Sequence, residues 1–206
     1  SLSLSWDSIG DWGASSIADA LKINRSLTSL NLWKNLITAS GAKELAEALK
    51  CNISLTNLDI SENSIGDEGA AGIGEGLKVN KALTSLNLAW DAVGDVGMRG
   101  ISSALEVNTS LTKLNVSNNI ITDSGAQEVA KVIDSNHRSL ISINLRKNPI
   151  GIVGVNHLAA ALGKNVFLMQ LDLFGLETEM TSLSQAVSTN PIVTVHLTKD
   201  QRLTFL

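Results

Sequence analysis

Leucine returns at one interval along nearly the whole chain. Leu27, Leu55, Leu83 and Leu111 stand 28 residues apart; Leu140 follows after 29, Leu168 after 28, and Ile192 after a shortened step of 24. Each opens the phrase L-x-x-L-x-L-x-x-N-x-I. It reads Leu27, Leu30, Leu32, Asn35, Ile37, then Leu55, Leu58, Ile60, Asn63, Ile65, and again Leu111, Leu114, Val116, Asn119, Ile121. A unit this short cannot bury its apolar face alone and must stack on copies of itself. Residues 1–206 therefore read as a single array of about seven repeats of ~28 residues, the first truncated and the last irregular. Leu2 and Leu4 align with Leu30 and Leu32, so the chain begins inside a repeat, as a fragment of a longer protein would.

Each repeat has two halves. Ser29-Leu30-Asn31-Leu32-Trp33 alternates polar and apolar, the period of a half-buried strand. Gly41 to Lys50 puts Ala42, Leu45, Ala46 and Leu49 on one helical face. Strands returned through helices run parallel. Strands pack ~4.8 Å apart and helices ~8–10 Å, so each repeat turns by roughly 20–30° with the strands inside the arc. Seven strands make an open arc.

The 28-residue length and the G-A-x-x-L-x-x-A-L second half resemble the ribonuclease-inhibitor type of leucine-rich repeat. The resemblance implies an α/β leucine-rich repeat solenoid. It would be an open right-handed horseshoe with parallel strands on the concave face and helices on the convex face. It further implies protein recognition. The family includes the ribonuclease inhibitor, the Ran GTPase-activating protein and the sensor region of NOD-like receptors, whose phrasing is the most similar.

Several columns have structural explanations. Asn35, Asn63, Asn119 and Asn148, with Asp7 and Asp91 in the same column, sit where the chain leaves the strand. An amide there satisfies turn N–H and C=O groups; Asp accepts but cannot donate. Asp11, Asp67, Asp95 and Asp123 have the placement of helix N-caps. Asn24, Asn52, Asn80, Asn108, Asn136 and Asn165 close the helices, where a residue tolerant of left-handed backbone is expected. Cys51 shares a column with Ile23, Val79 and Val107, so a buried thiol is expected. One cysteine excludes an internal disulfide framework and favours the cytoplasm.

No catalytic or cofactor chemistry stands out. His137, His157 and His196 fall in unrelated columns, read as solvated side chains, and no metal-ligand spacing is present. Gly72, Gly74 and Gly76 align with a helix interior and not with a phosphate loop; they should soften that helix. Asp59 and Asp172 are four strands apart, too far for paired acid–base work. Net charge is −4 with no basic run, and no apolar stretch reaches membrane length, so neither nucleic acid nor membrane is an expected partner. We expect no cofactor, no metal and no enzymatic activity.

The variable positions are the two that follow the second strand leucine. They carry Trp6, Trp33, Lys34, Glu62, Trp90, Asn118, Arg146, Lys147 and Phe174, our candidate partner-binding residues. Four of the seven aromatic residues fall there. Trp and Arg are enriched at binding hot spots. The first expectation is a module that binds a protein on its concave face, as the sensor part of a larger intracellular protein. The alternatives are a GTPase-activating protein of the Ran-activator type, in which Arg146 would act, and a scaffold that assembles through its convex helices. The plainer reading of the Trp residues is that they cover turns and strand edges.

Overall fold

The computed structural model describes residues 1–135, 137–174, 183–185, 188, 190, 192–196 and 202–203. Asn136, Gly175, Pro191, Thr198, Lys199, Asp200, Gln201 and Phe205 lie outside the described residues. Strand and helix alternate: β1 (Leu2–Ser3), α1 (Gly10–Ile23), β2 (Ser29–Asn31), α2 (Ala39–Cys51), β3 (Asn57–Asp59), α3 (Gly66–Val79) and β4 (Ser85–Asn87). They continue as α4 (Asp95–Leu105), β5 (Lys113–Asn115), α5 (Asp123–Asp134), β6 (Ser142–Asn144), α6 (Ile152–Leu162), β7 (Gln170–Asp172), β8 (Thr194–His196) and β9 (Arg202–Leu203).

The strands form one open sheet in chain order. Register follows the repeat, with Leu30 opposite Leu2 and Leu58, then Leu86, Leu114, Ile143, Leu171 and Val195 in file. Spacing alone predicts seven strands; nine are present among the described residues. β1 pairs parallel with β2, and β9 turns back antiparallel onto β8. The central strand residues and the inner helix faces (Ala42, Leu45, Ala46 and Leu49 in α2) make one continuous buried core.

Gly72, Gly74 and Gly76 do sit inside a helix, α3, where their role is close packing. A Cβ on Gly74 would stand 2.7 Å from the Gly100 carbonyl oxygen, and one on Gly76 would stand 2.8 Å from that of Ala46. α3 therefore meets α2 and α4 backbone to backbone, which offsets the intrinsic helix penalty of ~1 kcal/mol per glycine.

Two files of polar side chains hold neighbouring repeats together. At the strand exit, Asn63 Oδ1 accepts from the Asn35 and Ile37 N–H groups, each at 2.9 Å. Its Nδ2 donates to the carbonyls of Leu32 and Ile60 at 3.1 and 2.6 Å. Asn35, Asn119 and Asn148 repeat the arrangement. At the helix exit, Asn52 Oδ1 accepts from the Leu55 N–H at 2.7 Å while Nδ2 donates to the Leu21 carbonyl at 2.8 Å. Asn80, Asn108 and Asn165 continue this second file.

Four expectations need correction. The helix-closing asparagines are extended, not left-handed: Asn52 has φ −79° and ψ 129°. Their side chains, and not a special backbone conformation, bridge the repeats. The aspartates cap the following repeat's helix instead of their own. Asp11 Oδ1 accepts from the Thr38 and Gly41 N–H groups at 2.7 and 3.0 Å. Although burial opposes ionisation, the Thr38 and Gly41 bonds hold the Asp11 carboxyl below its usual range. Asp67, Asp95 and Asp123 do the same for α4, α5 and α6. Ala39 stands where the others carry Asp, and α3, lacking that acceptor, begins with Gly66 at φ +58°.

Cys51 is exposed, as is its whole column: Ile23 is 81% accessible, and Val79 and Val107 are over half exposed. Ile23, Cys51 and Val79 end their helices and Val107 follows α4, all beyond the face that meets the core. His137 is half-buried and bonded. Nε2 lies 2.7 Å from the Asn108 carbonyl and Nδ1 accepts from the Leu140 N–H at 3.1 Å. Those partners require a proton on Nε2 alone. In the repeat lengthened by one residue, an imidazole thus takes the place of the bridging amide.

Candidate recognition surface

The concave face is built by strand alternation. Leu30 and Leu32 enter the core, so Ser29, Asn31 and Trp33 face outward. Across the strands the same rule lines a polar groove of about 480 Å³ with Ser29, Asn57, Ser85 and Lys113, and with Asn31, Asp59 and Asn87. The Asn31 column ends the strands. Asn31 Oδ1 accepts from the Trp33 N–H at 2.8 Å, Asp59 from Ser61 at 3.0 Å, Asn144 from Arg146 at 3.0 Å and Asp172 from Phe174 at 3.0 Å. Asp59 and Asp172 thus have structural work, each in its own turn.

The residue after each such turn is left-handed. Trp6, Lys34, Glu62, Trp90, Asn118 and Lys147 have φ between 52° and 66°. Non-glycine residues seldom adopt this region. Here each is held by its own N–H, which donates to the next repeat: Trp6 to the Trp33 carbonyl at 2.9 Å, Lys34 to Ser61 at 2.9 Å, Glu62 to Ala89 at 2.7 Å, Trp90 to Ser117 at 3.1 Å. The result is a rigid rim that projects one side chain per repeat.

The structure brings some candidate residues together and leaves others apart. Trp6 and Trp33 meet edge to face, ring centres 5.9 Å apart and planes at 87°. Lys34 Nζ lies 4.1 Å from the Trp6 ring centre and 5.7 Å from that of Trp33. Glu62 completes the group, its Oε2 3.2 Å from the Lys34 ammonium. Five strands along, the Arg146 guanidinium carbon stacks 4.1 Å over the Phe174 ring, and its Nε is buried without a hydrogen-bond acceptor. Arg146 is therefore folded down onto its neighbour instead of projecting. Trp90, 55% exposed, Asn118 and Lys147 occupy the rim separately. Trp6 is 65% exposed and Trp33 half-buried beneath it. Trp12, placed by its column just before a helix, lies inside the first turn of α1 and is 86% exposed.

Behind the rim, Asp91 is fully buried. Its Oδ1 accepts from the Asn63 N–H at 2.8 Å, and Oδ2 has no partner. An asparagine here would donate from that atom, as Asn119 does to the Leu88 and Val116 carbonyls. Burial, aided by the nearby charge of Asp59, pushes the Asp91 carboxyl up to about 8 against the hydrogen bonds from Asn63 and Ile65. A proton kept on Asp91 supplies the donor that the column needs.

Among the described residues, no group of His, Cys, Asp and Glu is placed to hold a metal, and no helix is long and apolar enough to cross a membrane. No curated protein matches the sequence. A structure described as leiomodin-1 actin-binding site 2 superposes with a TM-score of 0.60 at 18% identity, over 73% of this chain and 87% of that one. The tropomodulin C-terminal domain of Caenorhabditis elegans superposes with a TM-score of 0.57 at 18% identity, over 72% of this chain and 92% of that one. At this identity the likeness is one of fold. Residues 24–46, 51–74, 79–102 and 107–130 each match the family model described as Leucine Rich repeat. With strands in register at the repeat period, these four matches support placing the chain in the leucine-rich repeat family, and its fold is a leucine-rich repeat solenoid.

Proposed function

We propose that this array is a protein-recognition module that engages its partner through the concave sheet and the strand-exit rim, as one part of a larger intracellular protein. The observation that carries the reading is the rim itself. Its left-handed residues present Trp6 and Trp90 to solvent on backbone already fixed by bonds to the next repeat. Large exposed aromatics on a rigid frame lose little conformational freedom on binding. Trp6 and Trp90 stand three strands apart, about 14 Å along the sheet, within one standard protein–protein patch. The exposed single thiol fits a reducing, cytoplasmic setting. The same fold serves as an actin-binding site in leiomodin-1, a precedent for this use of the fold and not for the partner.

The test is a pull-down from native extract followed by affinity measurement. Trp33→Ala and Trp90→Ala should each weaken binding by about 2 kcal/mol. Lys43→Glu and Lys131→Glu, on exposed helix surface, should leave it unchanged. A partner that ignores the double Trp variant and responds to the helix changes would sink this reading.

A specific feature favours a second reading, assembly through the helix-exit side. Ile23, Ile53, Val79 and Val107 stand exposed on four successive repeats. Sedimentation of the parent against Ile53→Lys separates the two: loss of self-association on that change supports assembly there.

A further inference from the structure

We propose that the Trp6–Trp33 corner is a receptor for an alkylammonium cation, occupied in the free chain by the protein's own Lys34. This receptor rests on the recognition reading above and gives one part of that surface its chemistry. Two tryptophan rings stand at 87° to one another with centres 5.9 Å apart. Both indole groups lie within reach of one ammonium, Lys34 Nζ, at 4.1 and 5.7 Å from the ring centres. The Glu62 carboxylate closes the third side at 3.2 Å. Aromatic faces attract a cation through their quadrupole, and a carboxylate adds charge, so such a corner discriminates a cation from a neutral group of equal shape.

The occupant is exchangeable. The Lys34 side chain is 42% exposed and stands on a flexible stem. The pair is only partly buried and lacks hydrogen-bond geometry, so it is weakly held. Glu62 Oε2 is buried beside Lys34 and makes no hydrogen bond, so its acceptor capacity is open to an ammonium that takes the place of Lys34. The backbone beneath does not need to move, because Trp6, Lys34 and Glu62 are each pinned through their own N–H groups. Lysine side chains of a protein partner and small quaternary ammonium compounds share the recognised chemistry. The site then works as a gate: an incoming cation enters as the Lys34 ammonium swings out to solvent.

The experiment follows the indole N–H resonances of the whole chain during titration with three probes. Choline is one, its uncharged carbon isostere 3,3-dimethylbutan-1-ol the second, and Nα-acetyl-lysine methylamide the third. Trp12 and Trp90 serve as internal controls. Lys34→Ala should bind both cations about tenfold tighter than the parent, with shifts confined to Trp6 and Trp33, and should prefer choline to the alcohol by about tenfold. Adding Glu62→Gln should remove most of the gain; thermal melts of each variant confirm that it is folded. A stronger response to choline than to the lysine amide supports a small quaternary ligand, and the reverse a partner side chain. Equal binding of choline and the alcohol, or no gain in Lys34→Ala, overturns the proposal. No partner is needed for these titrations. A failed pull-down with an intact corner therefore falls on the recognition reading alone.

Discussion

The strand-exit and helix-exit files do the same job at opposite ends of the repeat and tolerate different residues. Both bridge consecutive repeats with a side chain that accepts from turn N–H groups and donates to the previous repeat's carbonyls. At the helix exit the one substitute among the described residues is His137, which like an amide both donates and accepts. At the strand exit the buried substitute is Asp91, which as a carboxylate only accepts, and the mismatch surfaces as a carboxyl raised to about 8. The files therefore select for a donor–acceptor pair of the right span and not for asparagine as such. Where a residue lacks the donor, protonation restores it.

The largest effect that would sharpen this comparison is expected from Asn63→Ala. It strands the Asn35 and Ile37 N–H groups and the Leu32 and Ile60 carbonyls in a buried setting. A loss of about 3 kcal/mol is expected in urea melts. A parent-like melt would remove the strand-exit file from the account.

Asp91→Asn should stabilise the chain, in a pH-dependent way. A carboxyl whose folded pKa is raised contributes stability fully present below its unfolded value of 3.8, and that contribution is lost as pH rises through about 8. Asparagine carries no such dependence. Parent and variant should therefore be closest near pH 4 and diverge progressively up to about pH 8, with no further separation above it. Melts that run parallel across that range would show that Asp91 is ionised in the fold and that the missing donor costs nothing.

His137→Leu should cost about 1–2 kcal/mol, since it removes both bonds at a half-buried site. His137→Asn discriminates further. The added residue in this repeat places position 137 differently from the regular asparagines, so a shorter amide should recover only part of the loss. Full recovery would mean that the span is set by Asn and the insertion is immaterial.

Asn24→Ala should have the smallest effect, about 0.5 kcal/mol. Asn24 is exposed, and water replaces its bonds to the Ser26 and Leu27 N–H groups. A loss as large as that of Asn63→Ala would show that bridging, and not burial, sets the cost.

The period of 28 residues was enough to read parallel strands, their register, the helix faces and the role of Asn63, because each depends on a neighbour one repeat away with the same sequence. The repeat alignment puts Gly72, Gly74 and Gly76 inside a helix, yet what Gly74 and Gly76 do there depends on the position of Gly100 and Ala46 on adjacent helices. The variable pair of positions was also visible as the place where side chains could differ. What each side chain does there was not.

That division has a physical cause. Periodic burial of leucine determines the array, since only stacking in register removes every apolar face from water. Tertiary geometry decided the rest. It left the Cys51 column past the last buried turn and aimed each aspartate at the next helix instead of its own. It folded Arg146 onto Phe174 and gathered Trp6, Trp33, Lys34 and Glu62 into one corner. Those outcomes depend on angles and distances between side chains about one repeat apart, and a period in the sequence does not carry those angles and distances.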